Sequence, residues 1–319
     1  MTTPVTVPAT ARAAPVLDLG PLEGPVLCFG GPYGNLQATE ALLAEATRLV
    51  IPAGNIICTG DVAAYCADPA ATVARLRAAG VHVLMGNCEE ALGLGHVDCG
   101  CGFEAASPCD ALAREWFAYA DAALDAEAKA WMAALPRRIR FVLGGRRFAV
   151  VHGGAADIAR FIFASAPDQV FREEFARLGA EAPTDAPPIE AVVAGHCGLP
   201  FSAAVDGRLW HNPGVIGMPA NDGRPEVWYS LLVPSLDGIE IRHVALAYDY
   251  RAAAGRMNKA GLARPYAEAL ESGLWPDMGV LPAPERLKRG KPLVPARFNF
   301  PRKPLRSRGC ERASAPPLF

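Results

Sequence analysis

Between Pro25 and Asn87, short apolar runs alternate with segments of helical period, and this alternation restricts the fold more than any other feature of the chain. VLCFGG, NIICTGD and VHVLMGN read as strands. NLQATEALLAEATRL and DPAATVARLRAAG carry apolar residues at helical spacing, the second opened by Asp68 and Pro69. Crossovers of this length imply parallel strands with helices against the sheet faces. Ligands then gather at the carboxyl ends of the strands, and the second and third runs end on Asp61 and Asn87.

Residues 111–135 read as a helical insertion. RIRFVLGGRRFAVVHGG reads as a hairpin that turns at Gly144 and Gly145 and ends at His152. AVVAGH, AAVDGRLWHNPG and EVWYSLLVPSLDGIEIRHVAL add strands, with turn signals at Asp206-Gly207 and Asp237-Gly238. The stretch 250–275 reads as helical. A parallel half joined to a more antiparallel half indicates an α/β protein of two packed sheets flanked by helices, within one domain at residues 25–280. The Pro- and Ala-rich residues 1–24 read as a flexible arm, and the basic, Pro-rich residues 281–319 as a loose tail.

The formal net charge is −2, and neither sign dominates a long stretch before the C-terminus, which argues against a nucleic-acid groove or a membrane-facing surface. No apolar run has the length of a signal peptide or a membrane span, so a cytoplasmic protein is expected. The 9 cysteines are an odd number without a secretory context, so reduced thiols are expected. Cys28, Cys58 and Cys197 lie in or beside apolar segments and read as core. Cys99, Cys101 and Cys109 fall in LGLGHVDCGCGFEAASPCD, where C-x-C is tighter than a zinc knuckle; a loop of buried or pairing thiols is expected there.

Four apolar runs end on residues able to hold a divalent metal: CTGD at Asp61, MGNC at Asn87, VVHGG at His152 and VAGH at His196. Strands that stop on a carboxylate, a carboxamide or an imidazole beside glycine line up oxygen and nitrogen donors along one sheet edge. Taken singly, Asp61 also fits a helix N-cap and Asn87 a turn. Their joint occurrence favours a metal or phosphate pocket. The opening segment VLCFGGPYGN carries Gly31 and Tyr33 where further ligands would be expected.

The ordered series GD, GN, HG, GH and then NPG at Asn212 to Gly214 resembles the calcineurin-like metallophosphoesterase superfamily, in particular its small bacterial phosphodiesterase branch, in which GNC can replace GNH. The resemblance covers roughly residues 26–247. It implies a four-layer αββα sandwich of two mixed sheets flanked by helices, with two metal ions bridged by one Asp and in-line attack of activated water on phosphorus. By position, the bridging Asp falls on Asp61, the metal-bound Asn on Asn87, the His of HG on His152 and the first His of GHxH on His196. The opening D-x-H-G-N falls on Gly31-Pro32-Tyr33-Gly34-Asn35, without its Asp and His, and the last His of GHxH falls on Gly198. All three losses fall on the first metal site and leave the second complete.

What the resemblance implies is therefore a phosphoesterase acting on a phosphodiester or phosphomonoester with one divalent ion at Asp61, Asn87, His152 and His196. Mn, Fe or Zn suits this mixed donor set better than Mg or Ca. The alternative is an inactive relative that binds a phosphorylated ligand or a protein partner. Cys88 stands where relatives put a histidine that assists the leaving group, and Tyr33 and His211 are the other candidates to supply a proton; either also fits as a packed side chain. Gly31, Gly34 and Asn35 read as a turn able to bind phosphate through backbone N–H groups. Arg160 reads as a bidentate phosphate donor or, equally, a salt-bridge partner. Glu89 and Glu90 orient ligands or cap the next helix.

Overall fold

A computed structural model describes residues 16–102, 107–181 and 187–302. The elements in chain order are β1 (Val16–Pro21), β2 (Val26–Phe29), α1 (Leu36–Arg48), β3 (Ile56–Cys58), α2 (Pro69–Ala79), β4 (His82–Val83), α3 (Asn87–Leu94), α4 (Pro108–Ala123), α5 (Ala126–Ala133), β5 (Arg138–Leu143), β6 (Arg146–Val151), α6 (Asp168–Ala180), β7 (Ala191–Ala194), β8 (Phe201–Val205), β9 (Arg208–Asn212), β10 (Val227–Pro234), β11 (Gly238–Leu246), α7 (Tyr250–Ala260), α8 (Arg264–Ser272), α9 (Ala283–Arg286) and β12 (Arg297–Pro301). The strands form two sheets, ordered β1-β5-β6-β7-β9-β8 and β12-β11-β10-β2-β3-β4. Both are mixed: β2, β3 and β4 run parallel, as do β6, β7 and β9, and the other pairs are antiparallel except β1 with β5.

The period of two along each strand sorts apolar side chains into layers. In β2, Val26 and Cys28 join Ile57, Phe141, Phe148, Val150 and Val193 between the sheets. Leu27 and Phe29 face the other way, against Leu42 and Ala46 of α1 and Leu76 of α2. On the far side, Val151, Val192 and Ala194 pack against Phe171, Phe175 and Leu178 of α6. Helix, sheet, sheet and helix thus form the expected αββα sandwich. Each fully buried Val, Leu or Phe stabilises it by roughly 1.5–3 kcal/mol, which is why strands buried on both faces read as unbroken apolar runs.

Local signals set the element ends. The Asn35 carboxamide accepts from the Ala38 N–H at 3.1 Å and starts α1. Gly144 and Gly145, at φ 54° and 74°, turn the hairpin between β5 and β6.

Three expectations need correction. Residues 16–21 of the expected arm form β1, parallel to β5, and residues 297–301 of the expected tail form β12, antiparallel to β11. Both are edge strands held largely by backbone pairing, so their composition does not advertise them; Phe300 is nevertheless buried, with the Arg146 guanidinium 4.5 Å above its ring. Residues 1–15 and 303–319 lie outside the described residues. Third, Cys99 and Cys101 are joined by a disulfide, which corrects the general expectation of reduced thiols and is the pairing expected of that loop, while Cys28, Cys58, Cys66, Cys88 and Cys197 are free and buried. The Cys109 side chain lies outside the described residues.

Candidate metal centre

Each sheet contributes two of the four expected donors. Asp61 follows β3 and Asn87 follows β4 in one sheet; His152 follows β6 and His196 follows β7 in the other. The loops must cross the joint end of the sandwich at close quarters, which explains the glycine before three of the donors. A methyl group at Gly86 would lie 2.7 Å from the Asp61 nitrogen, and one at Gly195 would lie 2.9 Å from Thr59 Cβ. Asp61 and His196 themselves are held at φ 60° and 59°, a left-handed conformation that costs a non-glycine residue of order 1–3 kcal/mol. The buried Glu89 carboxylate stabilises the Asp61 turn by accepting from the N–H groups of Asp61 and Val62, each at 2.7 Å, and of Gly86 at 2.9 Å.

The donors converge. His152 Nε2 lies 3.0 Å from Asn87 Oδ1, 3.1 Å from His196 Nδ1 and 3.1 Å from Asp61 Oδ2, and His196 Nδ1 lies 4.0 Å from the same Asp61 oxygen. Ligands at about 2.1 Å from a tetrahedral ion are about 3.4 Å apart, and these separations straddle that value. Hydrogen bonds on the outer side fix which atoms face inward. His152 Nδ1–H donates to the Thr59 carbonyl at 2.6 Å, which leaves the Nε2 lone pair for the centre. The Asn87 amide donates to the Cys99 carbonyl at 2.9 Å, which turns Oδ1 inward. One carboxylate oxygen, one carboxamide oxygen and two imidazole nitrogens then confront each other in a buried site, a set of lone pairs that a divalent cation satisfies.

The titration of these groups reflects the same crowding. Burial pushes the Asp61 carboxyl up, but the His152 and His196 rings outweigh it and hold the group below the usual carboxylate range. Burial opposes a charge on His152, but Asp61 and the Thr59 carbonyl raise its pKa above the ordinary value. Burial and then the charge of His152 bring His196 down to about 3.

The positions that resemblance would equip with the other metal's ligands carry rings instead. A methyl at Gly31, which sits at φ 35°, would lie 2.6 and 2.8 Å from the Tyr33 Cε atoms. One at Gly198 would lie 3.2 Å from Trp275 Cζ2. Tyr33 is packed edge-on to Tyr65 at 4.7 Å between ring centroids, and the Trp275 indole is anchored by its N–H to the Pro219 carbonyl at 2.6 Å. The space beside the four donors is therefore a cleft of about 720 Å³, its open mouth included, walled by Tyr33, Tyr65, Phe161, Met218, Tyr266 and Trp275.

Several expected site residues are placed elsewhere. Gly31 N–H donates to the Gly60 carbonyl, Gly34 N–H to Val62 and Asn35 N–H to Pro32, so these amides are committed to backbone and do not form a phosphate cradle. The Asn35 side chain caps α1 and donates to the Gly217 carbonyl. Arg160 is tied to buried Glu174 at 2.5 Å, which takes its fork away from the centre. Cys88 is buried behind Asp61, its N–H donating to Asp61 Oδ1 at 3.2 Å, and burial followed by the Asp61 charge pushes the thiol well above its ordinary pKa. His211 is enclosed between the Ser202 and Ser230 hydroxyls at 2.9 and 2.7 Å and does not line the cleft. Tyr33 alone of the three candidate proton donors does. Asn212 of NPG supports the His196 loop by donating to the Gly195 carbonyl at 2.8 Å. The support that the Cys99 carbonyl gives Asn87 and the cleft rings from Phe161 to Trp275 went unrecognised in the sequence, where no motif marks them.

Donors gathered where the ends of two mixed sheets meet are the construction of a metal-dependent phosphoesterase. The chain belongs to the calcineurin-like phosphoesterase superfamily, whose domain matches residues 34–232. It is similar to the metallophosphoesterase of Sphaerobacter thermophilus, with 21% identity, a TM-score of 0.60 and coverage of 79% of this chain and 100% of that one. It is also similar to hypothetical protein PH1004 of Pyrococcus horikoshii OT3, with 14% identity, a TM-score of 0.63 and coverage of 79% and 99%. These likenesses establish the fold. No curated protein matches the chain.

Proposed function

We propose that this chain is a phosphoesterase that works slowly with one divalent ion, Mn, Fe or Zn, held by Asp61, Asn87, His152 and His196. The observation that carries this reading is the convergence of four inward-facing donors while rings stand over Gly31 and Gly198. Such an ion polarises a phosphoryl oxygen and lowers the pKa of water. The chain's own groups orient the donors: Thr59 holds the His152 tautomer, Cys99 holds the Asn87 amide and Glu89 holds the Asp61 turn. Burial, followed by the Asp61 charge, keeps the Tyr33 phenol protonated, and it serves as hydrogen-bond donor to a phosphoryl or leaving oxygen. Without a second ion nothing clamps entering and leaving oxygens together, so the substrate is a phosphorylated small molecule with a good leaving group. A cytoplasmic setting belongs to the same reading; no helix among the described residues is long and apolar enough to cross a membrane.

Elemental analysis of the purified protein, paired with turnover of bis(p-nitrophenyl) phosphate in added Mn, tests the proposal. About one equivalent of metal with turnover above the buffer rate is expected. Absence of metal uptake would overturn it. One equivalent without turnover on any phosphoester would favour the second reading, a binding protein for phosphorylated ligands, which the rings over the first-site positions support.

A further inference from the structure

The C-terminal stretch differs in charge from the rest of the chain. Residues 281–319 hold ten of the 31 Lys and Arg but two of the 33 Asp and Glu, so the remaining residues carry 21 cations against 31 carboxylates. The described part of the stretch is pinned to the body. Glu285 accepts from the Ser165 N–H at 3.1 Å and from its hydroxyl at 2.6 Å, Gly290 N–H donates to the Asn221 carbonyl at 2.9 Å, Leu293 N–H donates to Asp222 Oδ2 at 2.9 Å, and β12 pairs with β11. We propose that residues 286–294 form a face that docks on an anionic lipid bilayer, with Lys288, Arg289 and Lys291 at the headgroups and Leu287 and Val294 at the boundary with the acyl chains. The inference is independent of the metal centre.

The cations are exposed and uncommitted. Among the described residues, Lys288, Arg289 and Lys291 make no ion pair and no side-chain hydrogen bond. The two carboxylates that line the same depression, Asp222 and Glu285, are buried and engaged by the groups just given, with the Arg224 N–H also on Asp222 Oδ1. The three cations outnumber them and stand further out. Five more cations follow between Arg302 and Arg312, against Glu311 alone. The acidic remainder of the chain is repelled by an anionic surface, which turns this face toward it.

Apolar side chains accompany the charge. Leu287 is 74% exposed and Val294 76%, and they bracket the three cations in sequence. Single exposed aliphatic residues are ordinary, but a pair set among uncommitted cations suits the headgroup layer, where the aliphatic groups leave water while the charges stay with phosphate. Lys288, Arg289 and Lys291 border one depression over the start of β8 and Val294 borders the next; the two share Pro200, Phe201 and Leu293, so both kinds of group lie on one continuous surface. Nucleic acid, the other large polyanion, is gripped by rings that stack on bases. In the described part of this stretch the rings are Phe298, half-buried, and Phe300, buried, so none is offered for stacking.

Co-sedimentation of the full-length protein with vesicles tests the proposal, using phosphatidylcholine alone and phosphatidylcholine with phosphatidylserine at about 3:1, in dilute buffer and with salt raised to about 0.5 M. Binding to the anionic vesicles in dilute buffer should be at least tenfold tighter than to the neutral ones, and should fall at least tenfold in high salt. Lys288→Gln, Arg289→Gln and Lys291→Gln together should weaken it about 100-fold, at roughly fivefold for each cation near the surface. Leu287→Ser with Val294→Ser should weaken it at least threefold and keep its salt dependence. All five side chains are exposed, so urea midpoints of both variants should match that of the unmodified protein. Equal affinity for the two kinds of vesicle would overturn the inference. So would undiminished binding by the Gln variant, which would place the attraction in residues 302–312, or by the Ser variant, which would leave no apolar entry into the bilayer. Tighter binding to a single-stranded RNA than to the anionic vesicles, lost in the Gln variant, would assign the face to nucleic acid instead.

Discussion

Gly31→Ala tests whether the Tyr33 ring has taken the space of the missing carboxylate. The added methyl meets the Tyr33 ring at 2.6 and 2.8 Å, well inside contact, and it adopts φ 35°, which disfavours any Cβ. The left-handed backbone costs roughly 1–2 kcal/mol. Overpacking adds roughly 1–3 kcal/mol, because Tyr65 and Gly217 wall the ring on other sides and leave it only the cleft to move into. The single substitution should therefore destabilise by about 2–5 kcal/mol. Tyr33→Ala removes a buried ring and costs about 3–5 kcal/mol on its own. In the double variant the clash is gone, so the two costs should fall short of additive by about 1–3 kcal/mol, in the range of contacting residues. Urea unfolding of the four proteins, metal-free and at one pH, measures this coupling. Additivity within about 0.5 kcal/mol would refute the claim that the ring occupies the place of a Gly31 side chain.

His196→Ala removes one of two imidazoles that lie 3.1 Å apart, and metal content should fall from about one equivalent to below about a tenth of one, read by elemental analysis after exhaustive dialysis. Glu89→Gln replaces an acceptor for three backbone N–H groups by an amide with a single oxygen, and should cost about 2–4 kcal/mol in denaturant unfolding while weakening metal uptake through the Asp61 turn. The metal-free protein should lose stability in acid. His196 is depressed to about 3 and His211 well below its ordinary value, both mainly by burial, so below about pH 6.5 the unfolded chain takes up protons that the folded one refuses. Each group then removes about 1.4 kcal/mol per pH unit, while His152, raised in the folded state, acts in the opposite sense only above that range. Urea midpoints at pH 7 and pH 5.5 measure the loss; a midpoint unchanged or higher at pH 5.5 would contradict it.

The sandwich and the four inward donors were legible in sequence because both depend on local pattern. Strands β2 and β3 are buried on both faces, so their residues are all apolar, and they must end where polar groups can reach the open end of the sheet. A donor placed at that end carries its identity in one letter, and the glycine before three of the four is demanded by loops that cross within contact distance. Edge strands β1 and β12 were not legible, since pairing through backbone groups leaves little trace in side-chain choice. The roles suggested for Cys88, His211 and Arg160 shared that difficulty: each lies close in sequence to a motif, but sequence distance does not say which way a side chain points or what claims it first.

The sequence by itself determined the layers, the four strand-end residues that bring oxygen and nitrogen atoms together, and the residues Gly31, Tyr33 and Gly198 where the family resemblance implies further ligands. Only the tertiary structure decided what stands there instead. Trp275 reaches Gly198 from 77 residues further along the chain, and Phe161, Met218 and Tyr266 converge from three other segments. A cleft of this kind is defined by surfaces brought together from distant positions, whereas a metal donor at a strand end is defined by its own residue and its neighbours, and local pattern records only the second.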